Sequence, residues 1–175
     1  TSIYFCSWAK EMIAEKVLTA KDIADCVKLY TSQVDKNFLI LEEQQCIATV
    51  YNHMQNAALI RCVRIDGKIR AWILARITKS ELTGRNHIIQ LYYGSDLTGI
   101  LAVKAVQCLH QYLMESAERL KIFQVISQGS FEDKNCTFTR ILGKMGWKVK
   151  TFCAIWYSSH DPYGLYDPYD SQQGN

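Results

Sequence analysis

Asp66-Gly67 constrains the fold of this chain more than any other dipeptide in it. The pair interrupts "ALIRCVRIDGKIRAWILARI", two runs rich in β-branched and aromatic residues. A two-residue type I′ turn needs positive φ at both central positions, which Asp followed by Gly adopts at little cost. An antiparallel hairpin is predicted. "HIIQLYYG", beyond the polar stretch Lys79 to Asn86, reads as a third strand beside it. "LTGILAVKAVQCLHQYLMESAERL" then reads as a long helix with a polar stripe of Lys104, Gln107, Gln111, Glu115 and Glu118, its other faces apolar enough to bury against a sheet. "KIFQVISQG" returns as a strand. Strand, long helix, strand implies a right-handed crossover between parallel strands, so the fold class is α/β with an α+β character: one mixed sheet with helices on both faces.

Upstream, the pattern from Ser7 to Asn56 is helical. Thr19 and Asp22 have the spacing of a capping box, followed by Ile23, Val27 and Tyr30 at helical intervals. A second helix is expected from about Leu41, with Cys46, Ile47, Val50, Tyr51 and Met54 as its apolar stripe. Downstream, "NCTFTRILGKMGW" predicts a short helix that starts on Asn135 and ends at Gly146 in the left-handed conformation. "WKVKTFCAIWY" makes a closing strand. Residues 1–157 thus form one domain, and residues 158–175 an extended arm. The arm carries Tyr163, Leu165, Tyr166 and Tyr169 on a backbone stiffened by Pro162 and Pro168. Tyrosines give contact area at low entropy cost, which suits docking on a protein partner or on a second copy of the chain.

Composition excludes several classes. With 20 basic and 17 acidic residues the net charge is +3, and Arg61, Arg64, Lys68, Arg70 and Arg76 are dispersed through strands rather than gathered into a stripe. Nucleic acid is therefore not the expected partner. No apolar run approaches the roughly 18 residues of a membrane span. Seven cysteines, an odd number without a C-x-x-C pair, argue for a reducing, cytoplasmic setting in which most are small buried hydrophobes. Cys136, at the start of the short helix, has no His or acid partner placed by the sequence, and no His and Cys set has zinc-ligand spacing, so no metal is expected.

This order of elements is similar to that of the GNAT superfamily of N-acetyltransferases, and the short helix resembles it in letters. That family often shows Asn, two residues, Ala, two residues, Leu-Tyr, one residue, Lys, one residue, Gly-Phe. Asn135, Lys144, Gly146 and Trp147 fit, with Phe138, Ile141 and Leu142 at the other places. The resemblance implies a proton donor at position 142, where leucine has no transferable proton, and a carboxylate on or beside "HIIQLYYG", where none stands. It also implies an acetyl-CoA loop with Gln or Arg, two residues, Gly, one residue, then Gly or Ala. Here Asp96, Gly99 and Leu101 occupy those places. A carboxylate at 96 is expected to repel the pyrophosphate, and Leu101 to crowd the backbone approach.

These departures point to a non-catalytic structural or interaction protein that uses no cofactor; internal virion proteins of tailed phages resemble acetyltransferases in the same way. The alternative is an acyl-CoA-dependent N-acyltransferase, with Leu97, Thr98, Gly99 and Asn135 holding acetyl-CoA and Tyr92, Tyr93 or Tyr157 standing in for the missing acid and base.

Overall fold

A computed structural model describes residues 12–33, 42–79, 81, 84–122, 124–127 and 137–147. Two helices come first, α1 (Ala20–Gln33) and α2 (Glu43–Gln55), followed by strands β1 (Leu59–Ile65), β2 (Lys68–Lys79) and β3 (Asn86–Ser95). Helix α3 (Gly99–Leu120), the short strand β4 (Val125–Ile126) and helix α4 (Thr137–Lys144) complete the described elements. The four strands form one sheet in the order β1-β2-β3-β4. β1, β2 and β3 are antiparallel, while β3 pairs with β4 in parallel. The mixed sheet expected from the strand, helix, strand pattern is present. Asp66 and Gly67 turn the hairpin at φ +51° and +74°, as the turn chemistry requires.

Helices cover both faces of the sheet. On one, Ile23, Cys26 and Val27 of α1 and Val50 of α2 pack on Ile60, Cys62, Trp72 and Leu74. On the other, Ala105, Leu109, Leu113 and Ala117 of α3 pack on Val63, Ala71, Ile73, Ala75 and Ile88. The alternating strand residues feed both layers, which is why a single sheet supports two cores. All five polar positions read as the outer stripe of α3, from Lys104 to Glu118, are exposed. α4 leans on α3 through Ile141, Leu142 and Val106, and Gly146 takes φ +90° where the chain leaves it.

The chain before α1 differs from the helical expectation. Among residues 12–18 none is helical; Glu15 instead forms a bridge with Cys62, Glu15 N donating to Cys62 O at 2.8 Å and Cys62 N to Glu15 O at 2.9 Å. The free edge of β1 offers backbone groups that would otherwise lack partners, and a cap fixes where the helix can begin. Thr19 Oγ1 accepts from Asp22 N at 3.0 Å while Asp22 Oδ2 accepts from Thr19 N at 3.2 Å and Leu18 N at 3.0 Å. Arg64 ties this cap to the sheet through Asp22 Oδ1 at 2.9 Å and Glu15 Oε2 at 3.1 Å. Burial alone would raise the Asp22 pKa, but the Leu18 and Thr19 amides and Arg64 outweigh it and hold the carboxyl below its usual value.

Other dispersed basic residues also have specific partners. Arg61 lies over the Tyr112 ring at 4.3 Å, and Arg70 pairs with Asp96. Cys26, Cys46, Cys62 and Cys108 are free thiols, the first and third fully buried. Burial pushes the Cys62 thiol up to about 11, so it behaves as an apolar group. Among the described residues no helix is long and apolar enough to cross a membrane. The closing strand, Cys136 and the arm with Tyr163, Leu165, Tyr166 and Tyr169 lie outside the described residues.

Candidate functional site

β3 carries one residue more than its partner. Tyr92 pairs with Leu74 and Gln90 with Ala75, which leaves Leu91 as a bulge. A bulge shifts the alternation by one residue and re-aims the side chains beyond it. Leu91 and Tyr92 both face the α1 layer, and Tyr93 returns to the α3 layer. Tyr92 stacks on Trp72 at 6.3 Å and meets Tyr30 and His53 edge-on. Tyr93 faces His110 at 6.0 Å and Phe138 at 5.8 Å. The two neighbouring tyrosines read as stand-ins for an acid and a base are therefore on opposite sides of the sheet, and they do not form one catalytic pair. Burial, slightly relieved by a hydrogen bond with Ser95, pushes the Tyr93 hydroxyl up to about 12. It donates at neutral pH but is no base.

The turn from β3 into α3 is held by Ser95, by the β2 backbone and by a side chain of α1. Asp96 N donates to Arg70 O at 3.1 Å, Leu97 N to Ser95 Oγ at 3.1 Å, and Ser95 N to Gln33 Oε1 at 3.1 Å. Leu97 thus spends its N–H within the turn. Gly99 enters α3 at φ +59°, and a Cβ there would meet nothing within 4 Å; glycine is needed for conformation, not for space. Thr98 makes no side-chain cap, and no acidic residue stands in the first helical turn. The N–H groups of Gly99, Ile100 and Leu101 are the orphan donors of that turn. The Asp96 carboxylate, expected to repel an anion here, is ion-paired to Arg70, Oδ1 lying 2.7 Å from Nε.

A buried polar group that the sequence reading missed lies between α3 and the junction of β3 with β4. His110 is fully buried. Its Nδ1 is 2.8 Å from Val106 O, and its Nε2 is 2.9 Å from Gln90 Oε1 and 3.1 Å from Ser127 Oγ, which also contacts Gln90 Oε1. A carbonyl can only accept, so Nδ1 carries the proton. Desolvation drives the ring's pKa down to about 4 against the opposing pull of Val106 O. The neutral ring then accepts at Nε2, with the Ser127 hydroxyl or a turned Gln90 amide as donor. Phe138 and Trp147 close over the ring edge-on at 5.1 Å and 5.6 Å. The only sequence signal was polarity: Gln90 and His110 interrupt apolar faces of a strand and a helix.

At α4, Leu142 is 4% exposed and packs with Ile141 against Val106. It offers no proton to the site. Asn135 and Tyr157 lie outside the described residues. Among the described residues no group of three or more His, Cys, Asp or Glu side chains gathers as a metal would require.

An acetyltransferase of Trypanosoma brucei superposes with a TM-score of 0.62, 82% of this chain matching 97% of that one at 14% identity. The chain has the GNAT fold. Glucosamine-6-phosphate N-acetyltransferase of Arabidopsis thaliana has the same GNAT architecture, with a TM-score of 0.61 and 15% identity over 81% of this chain and 95% of that one. A predicted acetyltransferase of Clostridium acetobutylicum, solved with acetyl-CoA, matches with a TM-score of 0.59 and 13% identity, covering 80% of this chain and 92% of that one. No protein-family model matches the sequence, and no curated protein matches it significantly. At these identities the likeness is one of fold, and function has to be argued from the site.

Proposed function

We propose that this GNAT-fold domain binds an acyl-CoA at the turn from β3 into α3 and passes the acyl group to an amine. The observation that carries the reading is the turn itself: a glycine at φ +59°, an uncapped first turn of a 22-residue helix without acidic residues, and a neighbouring carboxylate already paired to Arg70. The N–H groups of Gly99, Ile100 and Leu101 would hold the pyrophosphate, favoured by the positive end of the helix dipole. Acyl-CoA supplies an activated thioester when bound; the residues of the chain place it.

Leucine at 142 does not forbid transfer. A thiolate resembling that of a free cysteine, with a pKa of about 8.5, is a good leaving group near neutral pH without a dedicated acid. β3 has no carboxylate, so the acceptor amine would have to arrive uncharged, and the rate would climb with pH through the amine's own pKa.

Calorimetric titration of the full chain with acetyl-CoA tests the first half, and release of free CoA with a panel of primary amines tests the second. Saturable micromolar binding supports the reading. No heat at millimolar acetyl-CoA defeats it. A second reading, a non-catalytic interaction or structural domain such as a virion component, is favoured by one observation: position 142 is a buried leucine packed into the α3–α4 contact. Absence of both acetyl-CoA binding and CoA release with any amine would select it.

A further inference from the structure

An open cleft of about 460 Å³ lies between the last turn of α2 and the far end of β2, its lining residues exposed or half-buried. Asn52, His53 and Asn56 line it from the helix, Arg76, Thr78 and Lys79 from the strand. Acceptors that could favour a cation are already occupied. The Asn52 carbonyl takes the amide N–H and side-chain amide of Asn56, and the His53 carbonyl takes the N–H groups of Asn56 and Ala58. Among the described residues no acidic side chain lines the cleft.

The cations, by contrast, are unspent. The ion pairs among the described residues involve Arg64 and Arg70; Arg76 and Lys79 have no acidic partner there. Arg76 Nε donates to Thr78 Oγ1 at 3.2 Å. That bond braces the guanidinium and leaves its terminal nitrogens available for the parallel donation that carboxylates and phosphates accept. Strand alternation places Arg76 and Thr78 after Trp72 and Leu74, on the α1 and α2 side of the sheet, whereas Lys79 has the opposite parity and borders the cleft as the last residue of β2. His53 adds a ring that can donate and Asn52 an amide nitrogen, while the Asn56 amide is spent on Asn52 O and Oδ1.

We propose that this cleft is a second small-molecule site, for a ligand bearing a carboxylate or phosphate group, with Arg76 as its principal anchor and Lys79 as an added charge. It stands apart from the β3–α3 turn and does not depend on acyl-CoA binding there. Its geometry is that of a binding site: two cations and an amide donor around an open volume, with no nucleophile and base brought together.

Calorimetry of the full chain with succinate, with inorganic phosphate and with uncharged succinamide tests it, each with CoA present in excess to fill the turn. Saturable binding of succinate or phosphate, with none for succinamide, is expected, and the stronger of the two anions identifies the group. The R76Q/K79Q variant should lose about tenfold or more of that affinity, since charge-assisted hydrogen bonds are the strong ones, with an unchanged circular dichroism spectrum and unchanged CoA binding. Absence of binding by either anion overturns the proposal. So does binding that survives in R76Q/K79Q, which would place the anion elsewhere, or equal binding of succinamide. Should the double variant fail to fold, R76K supplies the test, keeping charge but losing the planar fork, and full retention of affinity in it would also count against Arg76 as anchor.

Discussion

Arg70 Nε lies 2.7 Å from Asp96 Oδ1, joining the bulged part of β2 to the turn that leads into α3. Both side chains are more than a third exposed, so the pair adds little to stability, about 1 kcal/mol at most. Its effect should appear in binding. R70Q bares a negative charge beside the first turn of α3 and should weaken CoA severalfold while leaving the melting temperature almost unmoved; the double variant R70Q/D96N should recover the loss. Calorimetric affinities for the three proteins check this, and an R70Q protein that binds CoA as wild type does would refute it.

Tyr93 should remain protonated far into alkali. Its hydroxyl ionises at about 12 because the ring is buried between α3 and α4. In a spectrophotometric titration the native protein should show one late phenol that Y93F lacks. A Y93F titration curve that overlays wild type would mean that Tyr93 is open to solvent. Y92F probes the opposite face of the sheet, in the aromatic cluster with Trp72 and Tyr30.

His110 predicts a particular acid sensitivity. Its folded pKa, about 4, lies below the unfolded value of 6.5, so in that window the unfolded chain binds the proton and the folded one does not. Stability should be unaffected by this group above pH 6.5, fall as pH drops towards 4, and level off below; the full effect is about 3 kcal/mol. Urea melts across this range measure the slope, and H110Q should flatten it. Asp22 acts lower still. Its pKa is depressed, so its contribution is whole above the ordinary carboxylate range and is lost as pH falls through the folded value, a second phase that D22N should remove.

The hairpin, the crossover, the capping box and the outer stripe of α3 were legible because each is local: a turn dipeptide, a spacing of three, a period of 3.6. What escaped was set by contacts distant in sequence. The bulge at Leu91 exists only relative to β2 and decides that Tyr92 and Tyr93 part company. The neutralisation of Asp96 needs Arg70, 26 residues away, and the His110 cluster needs Gln90 of β3 and Ser127 just beyond β4. Residues 12–18 looked helical for want of any local sign that β1 had a free edge to fill.

The helix cap gives a graded pair of variants. T19A removes one acceptor, from the Asp22 amide, and should cost about 1 kcal/mol. D22A removes the acceptor for two backbone N–H groups and leaves Arg64 with Glu15 alone, so about 2 to 3 kcal/mol is expected. Chemical denaturation ranks them, and equal losses would show that Arg64 and the Leu18 amide contribute nothing through Asp22.

Two glycines, one three residues beyond the bulge and one at the helix entry, should respond to alanine for opposite reasons. At Gly94 the backbone is ordinary in φ, but a Cβ would stand 2.5 Å from Trp72 Nε1 and 3.1 Å from the backbone nitrogen of Tyr30. Trp72 is 1% exposed and packed against Leu74, Val27 and Tyr92, so neither neighbour can step aside, and overpacking of this kind costs about 1 to 3 kcal/mol. At Gly99 the space is open and the cost is the left-handed backbone, about 1 to 2 kcal/mol for a residue with a Cβ. The stability losses overlap, but their consequences for ligand do not. G99A strains the segment that presents the N–H groups of the α3 first turn and should weaken CoA more than its stability loss alone explains, whereas G94A, buried under the α1 layer, should lower the melting temperature and leave the affinity of the folded protein within about twofold. Melting curves with and without CoA separate the two: a ligand-induced rise in melting temperature that is kept in G94A and reduced in G99A is the expected result, and the reverse pattern would move the CoA site away from the β3–α3 turn.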